Sequence, residues 1–224
     1  MRLFIVLVLV GLAGVRGTAE QSRTTPNPCV QGGNKTPRLP PVDEAPSRPE
    51  FLQYRARLQA AVQRQDIEAV IAEVDPGIRL GFDASGGVDA FRKLFGERSE
   101  SWEELRVVLS HGGSFSTPTS FEAPYVYSDW PDRFDSFECA AVTGRNVRLR
   151  TAPRLDAPIS TTISYPIVRL IDRSSGGTLW SQVRLGDGQQ GYIWHAYVRS
   201  PVDYRALFNL SDGRWRMTAF VSGD

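Results

Sequence analysis

The sequence is short of histidine, cysteine and lysine. Its 224 residues include two histidines, His111 and His195, and two cysteines, Cys29 and Cys139. There is no His-Glu-x-x-His and no paired Cys motif, so the common zinc arrangements are excluded and no metal or cofactor is expected. No Gly-x-Ser-x-Gly occurs, and neither Cys carries a nearby His signature, which removes the familiar nucleophile motifs. Lysine is almost missing, with Lys35 and Lys93 the only copies. The formal net charge is +1, which gives no basic surplus for nucleic acid or an anionic membrane. Past the N-terminus no apolar run approaches the ~20 residues that cross a bilayer.

The N-terminus reads as a secretory signal over residues 1–19. Arg2 supplies the positive start, and Leu3 to Leu12 form an apolar run interrupted only by Gly11. Small residues follow, with cleavage expected after Gly17 or Ala19; an uncleaved anchor is the other reading. Leu12-Ala13-Gly14-Val15 resembles a bacterial lipoprotein box with Val where the lipidated Cys belongs. A periplasmic or secreted protein with no stable membrane insertion is expected. In that setting Cys29 and Cys139 either form a disulfide or stay as free thiols.

Residues 20–49 are rich in Pro, Gly, Asn and Thr without apolar periodicity, and read as a linker or arm. An α+β stretch is expected over 50–142. Pro49 suits a helix start, and Phe51, Tyr54, Leu58, Ala61 and Val62 share one face. Asp66 reads as an N-cap for a helix carrying Ile67, Val70, Ile71 and Val74. Asp75-Pro76-Gly77 is expected to end it, and a strand follows with Ile78, Leu80 and Phe82 inward. Gly86-Gly87 leads into a helix with Val88, Phe91, Leu94 and Phe95. Ser101-x-x-Glu104 predicts a capping box for a helix burying Leu105, Val108 and Leu109. His111 is expected to end that helix as a cation favoured by the helix dipole. Strands are expected over Phe121–Tyr127 and Phe137–Val142. The final residues, 201–224, form a hairpin: Tyr204, Ala206 and Phe208 alternate, Ser211-Asp212-Gly213 turns, and Trp215, Met217, Ala219 and Val221 alternate.

Residues 143–200 carry the strongest pattern. Gly144-Arg-Asn-Val-Arg-Leu-Arg-Thr-Ala-Pro153 is followed by Asp156-Ala-Pro-Ile-Ser-Thr-Thr-Ile163. Leu179-Trp-Ser-Gln-Val-Arg-Leu-Gly-Asp-Gly-Gln-Gln-Gly-Tyr-Ile-Trp-His-Ala-Tyr-Val198 completes it. Short strands closed by Gly, Pro or Asp are the spacing of a small β-barrel. The stretch resembles the bacterial SH3-like domain over nearly its whole length. Such domains lie outside the cytoplasm and bind without catalysing. The flanking helices, the Gly-Gly-x-x-x-Phe helix and the late strands ending Gly-Arg-Trp-Arg-Met-Thr-Ala-Phe-Val resemble, more weakly, the nuclear transport factor 2-like fold. The expected class is therefore α+β, with an SH3-like barrel inserted in, or following, a domain of helices on a curved sheet. The hairpin either completes that domain or packs outside the barrel.

Gly186-Asp-Gly-Gln-Gln-Gly191 matches a dinucleotide fingerprint as a string. The mechanism requires a helix at the third glycine, and Tyr192-Ile193-Trp194 is strand, so a hairpin loop is expected. Asp75, Asp83 and Asp89 flank the first strand, yet turn and helix-start roles account for them. The barrel surface is the better candidate. Alternation places Val147 and Leu149 inward and Arg148 and Arg150 outward. Tyr165, Trp180, Tyr192, Trp194 and Tyr197 complete the expected ligand-binding set. Trp180 and Tyr192 also suit the core of so small a barrel, and Trp194 is the exposed anchor. From 143 to 200 there are eight Arg, three Asp and no Lys or Glu, which steers an acidic partner to this surface. The expected function is a non-catalytic envelope protein recognising cell-wall peptide (peptidoglycan) or an envelope protein partner. Two other readings are a carrier of apolar ligands using Phe82, Phe91, Trp102, Tyr125 and Tyr127, and an enzyme using Asp83 with His111.

Overall fold

A computed structural model describes residues 27–30, 36–82, 86–97, 99–172 and 179–223. The expected signal segment and Asp83 lie outside these residues. The protein is α+β, and its strands form two sheets.

The helices lie mainly in the first half. α1 (Pro49–Gln63) starts at Pro49 and buries Phe51, Tyr54, Leu58, Ala61 and Val62. α2 (Ile67–Ile71) is capped by the Asp66 carboxylate, which accepts from the Ala69 N–H at 3.1 Å. Val74 is not helical; it opens β1 (Val74–Arg79), which contains Asp75-Pro76-Gly77 instead of following it. This strand is the edge of its sheet, where a proline forfeits no ladder bond. Its register slips between Val74 and Arg79, which absorbs the turn-like residues as a bulge. Phe82 lies beyond the strand and is exposed. α3 (Val88–Glu97) and α4 (Ser99–Ser110) follow. Ser101 is the third residue of α4 and is buried, so the expected capping box does not form.

β2 (Ser114–Thr117) and β3 (Ser120–Ala123) form a hairpin. The strand expected to reach Tyr127 stops at Ala123, where a cis peptide to Pro124 turns the chain into the short α5 (Tyr125–Ser128). β11 (Arg205–Ser211) and β12 (Arg214–Val221) close the chain. They are the middle of a five-stranded sheet ordered β1-β12-β11-β3-β2. Helices cover this sheet over an aromatic core. Phe51 lies 4.3 Å from Phe121, 4.8 Å from Trp215 and 5.6 Å from Phe208, measured between ring centroids.

The second sheet is formed by the strands between β3 and β11 in sequence. They are β4 (Cys139–Val142), β5 (Val147–Arg150), β6 (Ile159–Ile163), β7 (Ile167–Leu170), β8 (Trp180–Arg184), β9 (Gln190–Trp194) and β10 (Val198–Arg199). β4 lies before the expected 142/143 boundary yet pairs with β7 and β10. Phe137 remains outside that strand and is exposed. The order is β10-β4-β7-β8-β9-β5-β6, and among the described residues the sheet does not close into the expected barrel. β10 is two residues long, so the edge it leaves free of β4 offers little ladder to β6. Val142, Val147, Leu149, Val168, Val183, Leu185 and Ile193 fill this second core.

The arm is docked along its described part. Arg38 bridges Pro166, the Leu39 N–H donates to Tyr165 O at 2.8 Å, and Leu39 is buried. Asp43 accepts both Nη1 and Nη2 of Arg55 at 2.8 Å. Cys29 and Cys139 form a disulfide that joins the arm to β4, surrounded by Leu39, Tyr125, Val126, Phe134 and Ile167. No helix among the described residues is long and apolar enough to cross a membrane.

Candidate functional site

A groove of about 460 Å³ opens on the second sheet. Its floor is the cross-strand pair Trp180 and Trp194, with ring centroids 5.4 Å apart and planes at 85°. Ser181 and Ile193, their strand neighbours, turn into the sheet interior, so alternation leaves both indoles on the outer face. Gly191 permits the close crossing of β9 and β5: a Cβ there would lie 2.7 Å from Arg150 O and 2.7 Å from Leu149 Cγ. After β9 a single 3-10 turn, His195–Tyr197, carries Tyr197 over the rim at 47% exposure. Gly144 lies beneath that ring, and a Cβ there would approach Tyr197 Cδ1 to 3.0 Å.

The opposite wall is cationic. Arg148 points outward from β5 and is exposed. Arg150 does not. The β5–β6 register slips between Leu149 and Arg150, so alternation breaks, and Arg150 is buried with Nη1 donating to Ala157 O at 2.7 Å. Arg145 joins them from the turn before β5, where Asn146 has a positive φ of 55°. Asn146 tolerates that left-handed backbone better than most residues. Among the described residues no acidic side chain lines the groove. Among the described residues neither the Arg145 nor the Arg148 side chain has a hydrogen-bond or ion-pair partner. Leu155, 70% exposed, completes the rim.

The groove thus gathers Arg148, Arg150, Trp180, Trp194 and Tyr197 from the residues expected by sequence. Tyr192 shares the outer face of β9 but lines no part of it. Trp180 and Tyr192 are both half-buried and lie outside the aliphatic core they were expected to serve. Tyr165 lies apart: its backbone is bonded to the arm at Leu39, and its phenol is among the groups that act on Tyr125. Sequence reasoning missed Arg145, Asn146 and Leu155. A Gly-Arg-Asn turn ahead of the strand was the available signal for the first two. An isolated Leu in a Pro- and Asp-bounded loop gave none.

A second cavity, a cleft of about 800 Å³, separates α4 from the 3-10 turn and β10. Both histidines of the chain line it. His111 follows α4 as expected, with Nδ1 2.8 Å from Val107 O. A carbonyl only accepts, so Nδ1 carries the proton. The expected cation is disfavoured: burial, assisted by Arg199 and Arg106, lowers its pKa from the usual value. His195 is exposed and shares a 2.8 Å hydrogen bond through Nδ1 with Ser181 Oγ. Arg199 is buried, donates to Tyr204 O and lies 3.6 Å from Glu104. Among the described residues no group of three or more His, Cys, Asp or Glu side chains is arranged to hold a metal ion.

The aromatic residues expected to line a carrier pocket are dispersed. Phe91 is fully buried in the first core with Trp102 packed against that core, while Tyr125 belongs to the cluster around the disulfide. The Arg205 guanidinium fills the space over Tyr127 and Phe82, at 4.7 and 5.4 Å from the ring centroids. Gly186 to Gln189 lie in the β8–β9 hairpin loop, with the Leu185 N–H donating to Gln189 O at 2.8 Å, and Gly191 is already in β9, a strand where the dinucleotide mechanism needs a helix. No family model matches the chain, and no curated protein matches it.

Proposed function

We propose that this chain is an exported, non-catalytic binding protein, in which an SH3-like sheet domain recognises a carboxylate-bearing peptide of the cell wall or of an envelope protein. The nuclear transport factor 2-like unit of helices on a curved sheet serves as its scaffold. One observation carries the reading: the unpaired guanidinium groups of Arg145 and Arg148, with no carboxylate of the described residues among them, share a groove with two paired indoles and a tyrosine ring. Unpaired arginines attract an anion, and forked guanidinium groups bind carboxylates with two parallel bonds. Aromatic surface held at the rim anchors the ligand's apolar part. The disulfide supports an oxidising compartment.

The test is co-sedimentation of the protein with purified peptidoglycan at low and high salt, with Trp194→Ala and Arg148→Glu beside the wild type. Pelleting that persists in high salt and fails in Trp194→Ala is the expected result. Absence of pelleting removes the wall and leaves a peptide segment of an envelope protein as the ligand. Pelleting that disappears with salt and ignores Trp194 overturns the groove as a specific site.

A further inference from the structure

The arginine groove and the cleft meet at Trp194, which lines both. Neighbours in the chain face the two cavities from this rim. Trp180 and Tyr197 line the groove, while Leu179 and Ala196 line the cleft. The two cavities differ in chemistry. The groove has three arginines and, among the described residues, no acid. In the cleft, Arg106 pairs with Glu103 and Arg199 lies beside Glu104, so positive charge there is answered locally. Much of the remaining cleft wall is apolar: Val107, Leu179, Ala196, Val198 and Val202.

The exposed apolar side chains follow the same track. Leu155, at the groove, is 70% exposed, and Leu179, at the cleft, is 60% exposed. Scattered exposed leucines are ordinary, whereas apolar surface aligned with two indoles and a tyrosine marks an interaction site. The walls of the cleft come from both sheets' elements: α4 and Tyr204 on one side, the 3-10 turn and β10 on the other.

Resting on the groove reading above, we propose that the ligand is an extended polypeptide segment occupying both cavities. Its acidic end lies on Arg145 and Arg148, and the residues that follow are apolar, crossing Trp194 into the cleft against Leu179 and Val107. Charge complementarity sets the order: an acidic end is attracted where the arginines are unpaired and is disfavoured in the cleft, where both arginines lie beside glutamates and Asp203 adds a further carboxylate. Both structural units therefore grip one ligand.

The experiment is selection of a random library of peptides about twelve residues long, ~40 Å when extended, against the full chain. Wild type is compared with Leu179→Glu, Val107→Arg and Arg148→Glu. Thermal melting checks that each variant is folded, and Leu179→Glu alters a side chain already in water. The expected result is a motif with an acidic part beside an apolar part. Leu179→Glu and Val107→Arg weaken peptides carrying both parts by about tenfold or more, while peptides with the acidic part alone bind all but Arg148→Glu unchanged. A motif that is acidic only, and indifferent to Leu179 and Val107, overturns this inference and leaves the groove reading standing. Failure to enrich any motif dependent on Arg148 overturns both.

Discussion

The two sheets use aromatic rings in opposite ways. The five-stranded sheet and its helices bury Phe51, Phe91, Phe95, Phe121, Phe208 and Phe220 with Tyr54 and Trp215. The core of the second sheet contains only Val, Leu and Ile among its buried residues. Its rings, Trp180, Trp194 and Tyr197, lie on the outer face. Geometry explains the division. A layer of helices over a sheet leaves a gap wide enough for large rings. The strands of the second sheet are only two to five residues long, and branched aliphatic side chains fill the interior they enclose. Rings are cohesive over the first sheet and around the disulfide, while those on the groove face of the second sheet are open to a ligand.

The largest expected effect concerns the tie between the arm and the second sheet. The disulfide spans 110 residues, and in the chain-entropy model replacing both cysteines by Ser costs about 5 kcal/mol. Denaturant unfolding of the double variant beside oxidised wild type measures it. A negligible loss would show that the docked arm holds without its covalent link.

The contrast between the cores is sharpened by a matched pair. Phe208→Ala, fully buried, should cost about 3–5 kcal/mol through lost burial and a residual cavity. Trp180→Ala, half-buried on the groove floor, should cost less than ~2 kcal/mol and yet abolish peptide capture. Equal losses of stability would break the contrast, because Trp180 would then be acting as core.

The smallest expected effect lies where the two regions face each other. Burial lowers the folded pKa of His111, so the unfolded chain binds its proton more readily. That contribution to stability is complete above the unfolded value of about 6.5. It is lost as pH falls from there toward the folded pKa. Stability curves at stepped pH should show this decline in wild type, and His111→Gln should flatten it. An unchanged slope would mean that other groups dominate the acid response.

Local elements were legible where side-chain periodicity matched the final environment. The five apolar residues of α1, the Asp66 cap and the inward pair Val147 and Leu149 all follow from spacing. Part of the groove was legible for the same reason: Arg148 and Trp194 occupy outward positions of regular strands, whereas Trp180 suited the core as well. Reading failed where a slip interrupted the period. Arg150 was placed outward by alternation, and the register change after Leu149 turns it into the interior. Asp75-Pro76-Gly77 has turn chemistry, and nothing local reveals that β1 is an edge with a bulge. Ser101 matched a capping box as a string, while α4 begins before it.

The sequence by itself determined the local conformations, the inward and outward faces of the regular strands, and the absence of zinc and nucleophile motifs. These depend on neighbours within a few residues, and side-chain period and turn chemistry are local properties. Tertiary structure alone decided that β11 and β12 lie in the middle of the first sheet, that β4 belongs to the second, and that the arm lies against both. It also decided that Trp194 lines one cavity with Arg145 and another with Val107. Those arrangements are set by long-range pairing and by the volume left between packed layers, which no short stretch of chain encodes.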